Sequence, residues 1–164
     1  MRKLIYLFCL PVMLLVASCT KQIPDYGATS TVKMANGWWV VLSLGGAPQT
    51  SQVFMTTYNT SANTTDSLWI DDLKNGYGFK CKAKIDYTNM TFAATNSAND
   101  YYVGTPAFPA TVSITGGKVL AKAGHSKSGV ATDSIYMKVV FSDDPTDTWE
   151  IAGTARTGLI EDDY

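Results

Sequence analysis

The only histidine of the chain, His125, immediately precedes Ser126 in a polar run at positions 124–129. A histidine that accepts a proton from a neighbouring serine is the simplest arrangement for nucleophilic cleavage of an ester or amide. The run is close to the G-x-S-x-G pattern of a nucleophile elbow, but Ser128 stands in place of the last glycine and no helical pattern follows. We therefore interpret His125 and Ser126 as part of a solvated loop, and we predict no catalytic residue.

The carboxylates and cysteines do not form a recognisable metal site. Acidic residues cluster at positions 71–72, 143–144 and 161–163, at predicted turns or near the end of the chain. We interpret them as solvated residues, with calcium binding or contact with a protein partner as the alternative. A zinc site would need several cysteines and histidines, and no glycine-rich phosphate loop is present. The sequence predicts neither a metal nor another cofactor.

The charge balance argues against nucleic acid as a partner. The 164 residues include 13 Lys and Arg against 14 Asp and Glu, for a formal net charge of −1. A protein that binds the phosphate backbone usually carries an excess of cations. Much of the polarity comes instead from Ser, Thr, Asn and Gly, a composition that favours strands and turns over helices.

The first eighteen residues have the pattern of a signal peptide. Arg2 and Lys3 form a positive start, residues 4–16 are apolar, and small residues precede Cys19. The apolar run is shorter than the roughly 17–25 residues of a membrane span. The sequence at positions 16–19 resembles the lipobox of bacterial lipoproteins, which implies that Cys19 is lipidated and anchors the mature chain in a membrane. Ordinary secretion after residue 18 is the alternative.

We divide the chain into a signal peptide (residues 1–18), the lipidated cysteine with a tether (19–35) and one folded domain (36–164). Some surface-exposed lipoproteins carry an acidic cluster directly after the lipidated cysteine, and no such cluster follows Cys19. We therefore expect a lipid-anchored protein in the cell envelope of a Gram-negative bacterium, on the outer membrane and facing the periplasm. Within the domain Cys81 is the only thiol, so no disulfide can form inside it, and we interpret Cys81 as a small buried side chain.

Short strand patterns separated by turns fill the rest of the chain. The first is the segment 37–44, and the clearest is 77–86, where apolar residues alternate with lysines. The segments 133–142 and 147–156 predict a hairpin. Strict alternation of this kind is typical of strands with one buried and one solvated face.

A Gly116-Gly117 pair between two alternating segments predicts a further hairpin. Two glycines are a common hairpin connector. Closing the chain on them would place Ile114 opposite Val119 on an apolar face. We therefore expect separate strands at 110–115 and 118–123.

About eight to ten strands joined mostly by short loops predict an all-β fold, an antiparallel up-and-down β-barrel of about eight strands. Closure into a barrel removes the exposed edges that an open sheet would have. An open β-sandwich is the alternative.

Six segments, taken in order, resemble those of a known family; they are residues 58–63, 68–71, 114–120, 132–136, 141–145 and 156–164. The family is that of the Bacteroidetes lipid-binding putative hydrolases, small lipoproteins with a calycin or lipocalin-like barrel. The resemblance covers most of residues 35–164 and implies the same architecture. The family's label raises hydrolysis of a lipid or ester as an alternative activity, although the residues themselves favour a binding protein.

Lipocalin-like barrels also tend to pair a tryptophan of the first strand, in a Gly-x-Trp motif, with an arginine of the last strand. The spacing of the motif marks Trp39, whereas alternation places Trp38 on the more apolar face. We take Trp38 as the buried ring and expect Arg156 to be its cation–π partner. Because alternation turns Arg156 away from the interior, this pairing requires a bulge or a position at the barrel rim.

The barrel interior is the predicted ligand site. A barrel of about eight strands is either filled by side chains or holds one small ligand. Inward positions include small residues, among them Cys81, Ala83, Ala121 and Ala123, which would leave an apolar void. We predict a hydrophobic or lipid-like small molecule held by six side chains: Trp38, Trp69, Phe79, Met137, Phe141 and Trp149. A filled barrel that acts as a structural or protein-binding module is the alternative, and the sequence indicates no oligomeric state.

Overall fold

The computed structural model describes residues 28–103 and 108–164, which form a single β-sheet. The predicted signal peptide and Cys19 lie outside the described residues. The strands are β1 (Asn36–Leu44), β2 (Ala47–Pro48), β3 (Val53–Asn59), β4 (Ser67–Asp71), β5 (Lys80–Asp86), β6 (Thr91–Ala98), β7 (Thr111–His125), β8 (Ala131–Phe141) and β9 (Asp144–Ala155). Short 3-10 turns at Val32–Met34 and Ile160–Asp162 flank the sheet. In these parts of the chain we find no helix with the length and apolar character needed to span a membrane.

The sheet closes on itself. Each long strand is antiparallel to the next one along the chain, and β1 also pairs with β9, from Trp38 opposite Ala155 to Leu44 opposite Trp149. The two-residue β2 only extends the pairing of β1. The result is a closed, antiparallel, eight-stranded barrel, which confirms the predicted fold and excludes the open sandwich. Closure pairs the backbone groups that edge strands would expose.

Alternation along the strands decides which side chains face the interior. In β1 the buried residues are Trp38, Val40 and Leu42, and β8 has the same period of two. Because neighbouring side chains of a strand point to opposite faces, this pattern turns one apolar face into the core. Trp38 is fully buried, and its indole N–H donates a 2.8 Å hydrogen bond to the Thr57 hydroxyl. The single polar atom of the ring is therefore satisfied inside the barrel.

The predicted hairpin at Gly116 and Gly117 is wrong, because β7 runs through both glycines as one strand. Between Thr115 and Lys118, β7 has one residue more than the stretch of β8 that pairs with it, which defines a β-bulge. Gly116 has a φ of +60°, and a Cβ added to Gly117 would clash with the Phe92 ring. A bulge of one residue and a hairpin turn of two residues both keep Ile114 and Val119 on the apolar face. The pattern of apolar residues alone therefore does not distinguish a bulge from a turn.

The folded part begins before the predicted boundary at residue 36. Thr31 and Met34 are fully buried, and the Met34 carbonyl accepts a hydrogen bond from the Thr57 hydroxyl. The Ser30 N–H and hydroxyl bind the side-chain and main-chain oxygens of Asn63, at 2.9 and 2.6 Å, in the loop between β3 and β4. Residues 30–35 therefore belong to the barrel and not to a free tether.

Candidate functional site

The barrel interior is filled with side chains. Four of the predicted wall residues are 0% exposed: Trp38, Phe79, Met137 and Phe141. Zero exposure means that no water-sized sphere touches a side chain from outside or from within the barrel, so no cavity adjoins these four. Cys81 and Ala83, two of the small residues that were expected to leave space, are also 0% exposed. The prediction of a void at the centre of the barrel is therefore wrong.

Aromatic contacts close one end of this core. Tyr77 stacks on Phe141 with the ring centroids 3.7 Å apart, and it meets Trp149 edge-on at 5.3 Å. Phe79 contacts Phe141 edge-on at 5.4 Å. The two edge-on contacts have a favourable geometry for aromatic pairs, and the Tyr77 and Phe141 rings lie nearly face to face. The large rings expected to line a ligand site thus pack on each other.

Two of the six predicted wall residues are not fully enclosed. Trp69 lies on the outer face of β4, with the Lys80 ammonium 5.0 Å from its ring centroid, and Trp149 is half-buried. Ala121 and Ala123, which were expected to face inward, are exposed. They leave the inner face because the pairing of β7 with β8 is irregular between residues 120 and 124.

The predicted pairing of Arg156 with Trp38 is wrong. Ala155 lies opposite Trp38 and points inward, so the next side chain, Arg156, points outward, and no bulge reverses it. The guanidinium lies 6.0 Å from the Phe54 ring centroid and donates to the Asp163 carboxylate, with Nε 2.7 Å from Oδ1. This ion pair lowers the pKa of Asp163. Arg156 therefore ties the end of the chain to the outer wall.

The acidic pair Asp71 and Asp72 was expected in solvent, but both side chains are buried. Asp71 accepts hydrogen bonds from the hydroxyls of Tyr58 (3.1 Å) and Tyr101 (2.5 Å). Burial raises the pKa of Asp72, and hydrogen bonds from backbone N–H groups partly offset that effect. The donors to Asp72 are the N–H groups of Lys74, Gly78 and Phe79. Both carboxylates thus serve the structure of the loop after β4.

His125 and Ser126 lie where β7 ends, and the histidine is exposed. The Ser126 hydroxyl lies 3.1 Å from that of Ser128 and accepts a hydrogen bond from the Val130 N–H. Within residues 28–103 and 108–164 no hydrogen bond joins Ser126 to His125, and no group of three or more metal-binding side chains is found. This local geometry fits the predicted polar loop.

The barrel wall is least paired between β5 and β6. Residues 84–86 of β5 lie opposite residues 91–93 of β6, and these three residue pairs are fewer than those of any other neighbouring pair of long strands. Past residue 93 the pairing of β6 with β7 is irregular, and Asn96 has a φ of +45°. From this part of β6 the Ser97 hydroxyl donates to the Lys82 carbonyl at 2.9 Å. The regular ladder between β5 and β6 therefore stops at residue 93, and beyond it the Ser97 hydroxyl and the Asp100 N–H still bond to carbonyls of β5.

Two joined grooves follow this interruption of the ladder on the outer surface. The upper groove, of about 380 Å³, has Ala83 and Ala94 among its lining residues, with Lys82 on its rim. The lower groove, of about 620 Å³, passes Phe92 and continues toward the turn between β5 and β6. The two grooves share residues 84 and 93. We call them together the seam groove.

The floor of the seam groove is apolar and shallow. Ala94 is 8% exposed and Phe92 is 4% exposed, so the groove reaches the outer surface of the core there, whereas Ala83 is 0% exposed and lies beneath the floor without touching solvent. Small side chains at these positions make room over the wall, and the lysine stems beside them add apolar surface. The sequence signal for this site is the run of outward lysines on β5, which by itself indicates only the solvated face of a strand.

One comparison with known proteins identifies a family. The family model described as lipid-binding putative hydrolase matches residues 23–160, which is most of the 164-residue chain. No curated protein matches the chain. The match includes all nine strands.

Proposed function

The chain belongs to the lipid-binding putative hydrolase family, and on that premise we propose that it is a membrane-anchored envelope protein that binds a lipid-like molecule in the seam groove. The observation that carries this proposal is the pair of joined grooves beside the interrupted ladder of β5 and β6. Because the interior is packed, a ligand has to bind on the wall. The two grooves, of about 380 and 620 Å³, are open to solvent along the outer wall, so a ligand bound there would keep one side exposed.

The anchor in this proposal is lipid attached to Cys19, in a membrane that faces the periplasm. Between Cys19 and Ser30, where the barrel begins, the extended chain spans at most about 40 Å. Such a length would keep the groove close to the lipid surface that supplies the ligand. The Cys19→Ala variant should move from the membrane to the soluble fraction, whereas Cys81→Ala should stay on the membrane; a membrane-bound Cys19→Ala protein would contradict lipidation.

The binding site is tested by filling the groove. The protein for this test is the chain from residue 20 onward, which contains the whole barrel with its core. The ligand is lauroyl lysophosphatidylcholine, kept below its critical micelle concentration. Ala93 is exposed and shared by both grooves, so Ala93→Trp should lower the affinity measured by calorimetry at least about tenfold. Ala152→Trp, an exposed alanine on β9, is the matched control and should bind as the wild type does.

Two other results would change the assignment. If the affinity for lysophosphatidylcholine is unchanged in Ala93→Trp but lost in Phe141→Ala, the ligand binds inside the barrel and not in the seam groove. A wild-type protein that binds no amphiphile would favour the second candidate function, a structural or protein-binding module, which is the function that the filled core supports. The family description also names hydrolysis; ester cleavage by the wild type that disappears in His125→Ala would replace both candidates.

A further inference from the structure

We propose that the ligand of the seam groove is a single-chain amphiphile with an anionic head group, a carboxylate or a phosphate, held by Lys82 and Lys84. This inference rests on the proposed function, because it specifies the ligand class for the same groove. The observation behind it is the position of two unpaired ammonium groups beside an apolar floor.

The two lysines share one face of one strand. Lys82 and Lys84 are two positions apart on β5, so both point outward, and both side chains are exposed. Among the described residues neither ammonium forms an ion pair or lies over an aromatic ring. Lys80 of the same strand differs, since it binds Asp100 at 2.8 Å. Two cations on the groove rim are therefore free to meet a ligand.

The carboxylates near the groove are already engaged. Asp86, in the lower groove, accepts hydrogen bonds from the backbone of Thr88 and from Asn89, whose side chain is 2.7 Å away. Asp66 accepts the hydroxyls of Thr64 and Ser67. These hydrogen bonds lower the pKa of both acids, and Lys82 makes a smaller contribution at Asp66. No carboxylate lines the upper groove, so its lining carries net positive charge.

The apolar part of the ligand has a continuous path from these cations. Ala93 lies opposite Lys84 and belongs to both grooves, and beyond it the lower groove passes Phe92 and the half-buried Ile85. A chain lying there would cover apolar surface of the wall, while its charged end would stay at the solvent-exposed rim. An anion between two lysines is favoured by Coulomb attraction and by charge-assisted hydrogen bonds. A cationic head group at the same place would be repelled.

The test compares three ligands with the same twelve-carbon chain on the soluble protein from residue 20 onward. Calorimetry should show that dodecanoate binds about tenfold more tightly than dodecan-1-ol, as two favourable exposed ion pairs would give, and that dodecyltrimethylammonium binds most weakly. In the Lys82→Gln/Lys84→Gln variant, dodecanoate and dodecan-1-ol should bind within about twofold of each other. Lys122→Gln/Lys138→Gln removes two lysines outside the groove and should keep the wild-type preference. Raising the salt concentration should reduce the preference.

The possible failures separate the two proposals. Equal wild-type affinity for dodecanoate and dodecan-1-ol, with both lost in Ala93→Trp, would overturn the anionic class and leave the groove as the lipid site. A preference for dodecanoate that persists in the Lys82→Gln/Lys84→Gln variant would also overturn it. Failure of every amphiphile, including lysophosphatidylcholine, would remove the proposed function itself. Dodecyl phosphate should show the same dependence on Lys82 and Lys84 as dodecanoate does, and a preference for either anion that is independent of both lysines would count against the proposal.

Discussion

At the scale of single residues, acidic side chains that look like solvated turn residues hold the loops of this barrel together. Asp162 is 1% exposed, although it belongs to an acidic run near the end of the chain. Its carboxylate accepts the Thr157 hydroxyl at 2.6 Å and the Ser128 N–H at 2.7 Å. These bonds join the terminal 3-10 turn to the loop after β7. Hydrogen bonds to the ionised form lower the pKa of Asp162 to about 2.

The low pKa of Asp162 predicts a dependence of stability on acid. In the unfolded chain this carboxyl has its ordinary pKa of 3.8, so the stabilisation is complete above that value and is lost as the pH falls from about 4 toward 2. The Asp162→Asn variant should unfold at lower urea concentration than the wild type at pH 7, and the difference should shrink toward pH 2. Glu161→Gln, an exposed neighbour, is the control and should leave the midpoint unchanged. A constant difference between pH 7 and pH 2 would contradict the assignment.

At the scale of elements, bulges decide where the strands lead. The extra residue in β7 lets one strand pair with both neighbours while keeping Ile114 and Val119 on the buried side. In β6, an irregular stretch at residues 94–97 accompanies the loss of pairing with β5. The bulge in β7 therefore keeps the pairing of the barrel wall continuous, whereas the irregular stretch of β6 lies beside the seam groove.

The β7 bulge requires a left-handed conformation at Gly116, whose φ is +60°. Asparagine tolerates this conformation, whereas a β-branched residue does not. We expect Gly116→Val to lose about 1–2 kcal/mol of unfolding free energy and Gly116→Asn to lose clearly less, measured by urea denaturation. No atom lies within 4 Å of an added Cβ at this position, so the difference reports backbone strain and not a steric clash. Equal losses in the two variants would argue against a strained bulge.

At the scale of the whole molecule, the barrel has a filled core, and the binding surface that we propose lies on its outer wall. Tyr77, Phe79 and Phe141 pack on one another where a hollow barrel would hold its ligand. A packed core gains dispersion contacts across the barrel, and this protein has no disulfide within the described residues to replace them. Burial also raises the pKa of the single thiol there, Cys81, to about 12, so this side chain stays neutral.

Truncation of a core ring tests this picture. Phe141 is 0% exposed, so Phe141→Ala should cost about 3–5 kcal/mol of unfolding free energy, because it removes buried surface and leaves a cavity. Phe54→Ala makes the same change on a half-buried ring of the outer wall and should cost clearly less. Affinity for lysophosphatidylcholine at the seam groove should be unchanged in Phe141→Ala under conditions where the variant is folded. Loss of that affinity would place the ligand inside.

The sequence by itself determined the all-β class and the inward faces of β1 and β8, because a period of two in apolar residues is a local property of each strand. It predicted an antiparallel barrel, but the pairing of β1 with β9 that closes the sheet is a tertiary feature. The sequence also placed Trp38 and Cys81 in the core. Only the tertiary structure decided whether that core is hollow, since filling depends on how rings from different strands meet. The same holds for the Gly116 bulge, the outward course of Arg156 and the seam groove. A bulge and a turn leave the same alternation in the chain, and the place where a ladder is interrupted depends on pairing partners that alternation does not specify.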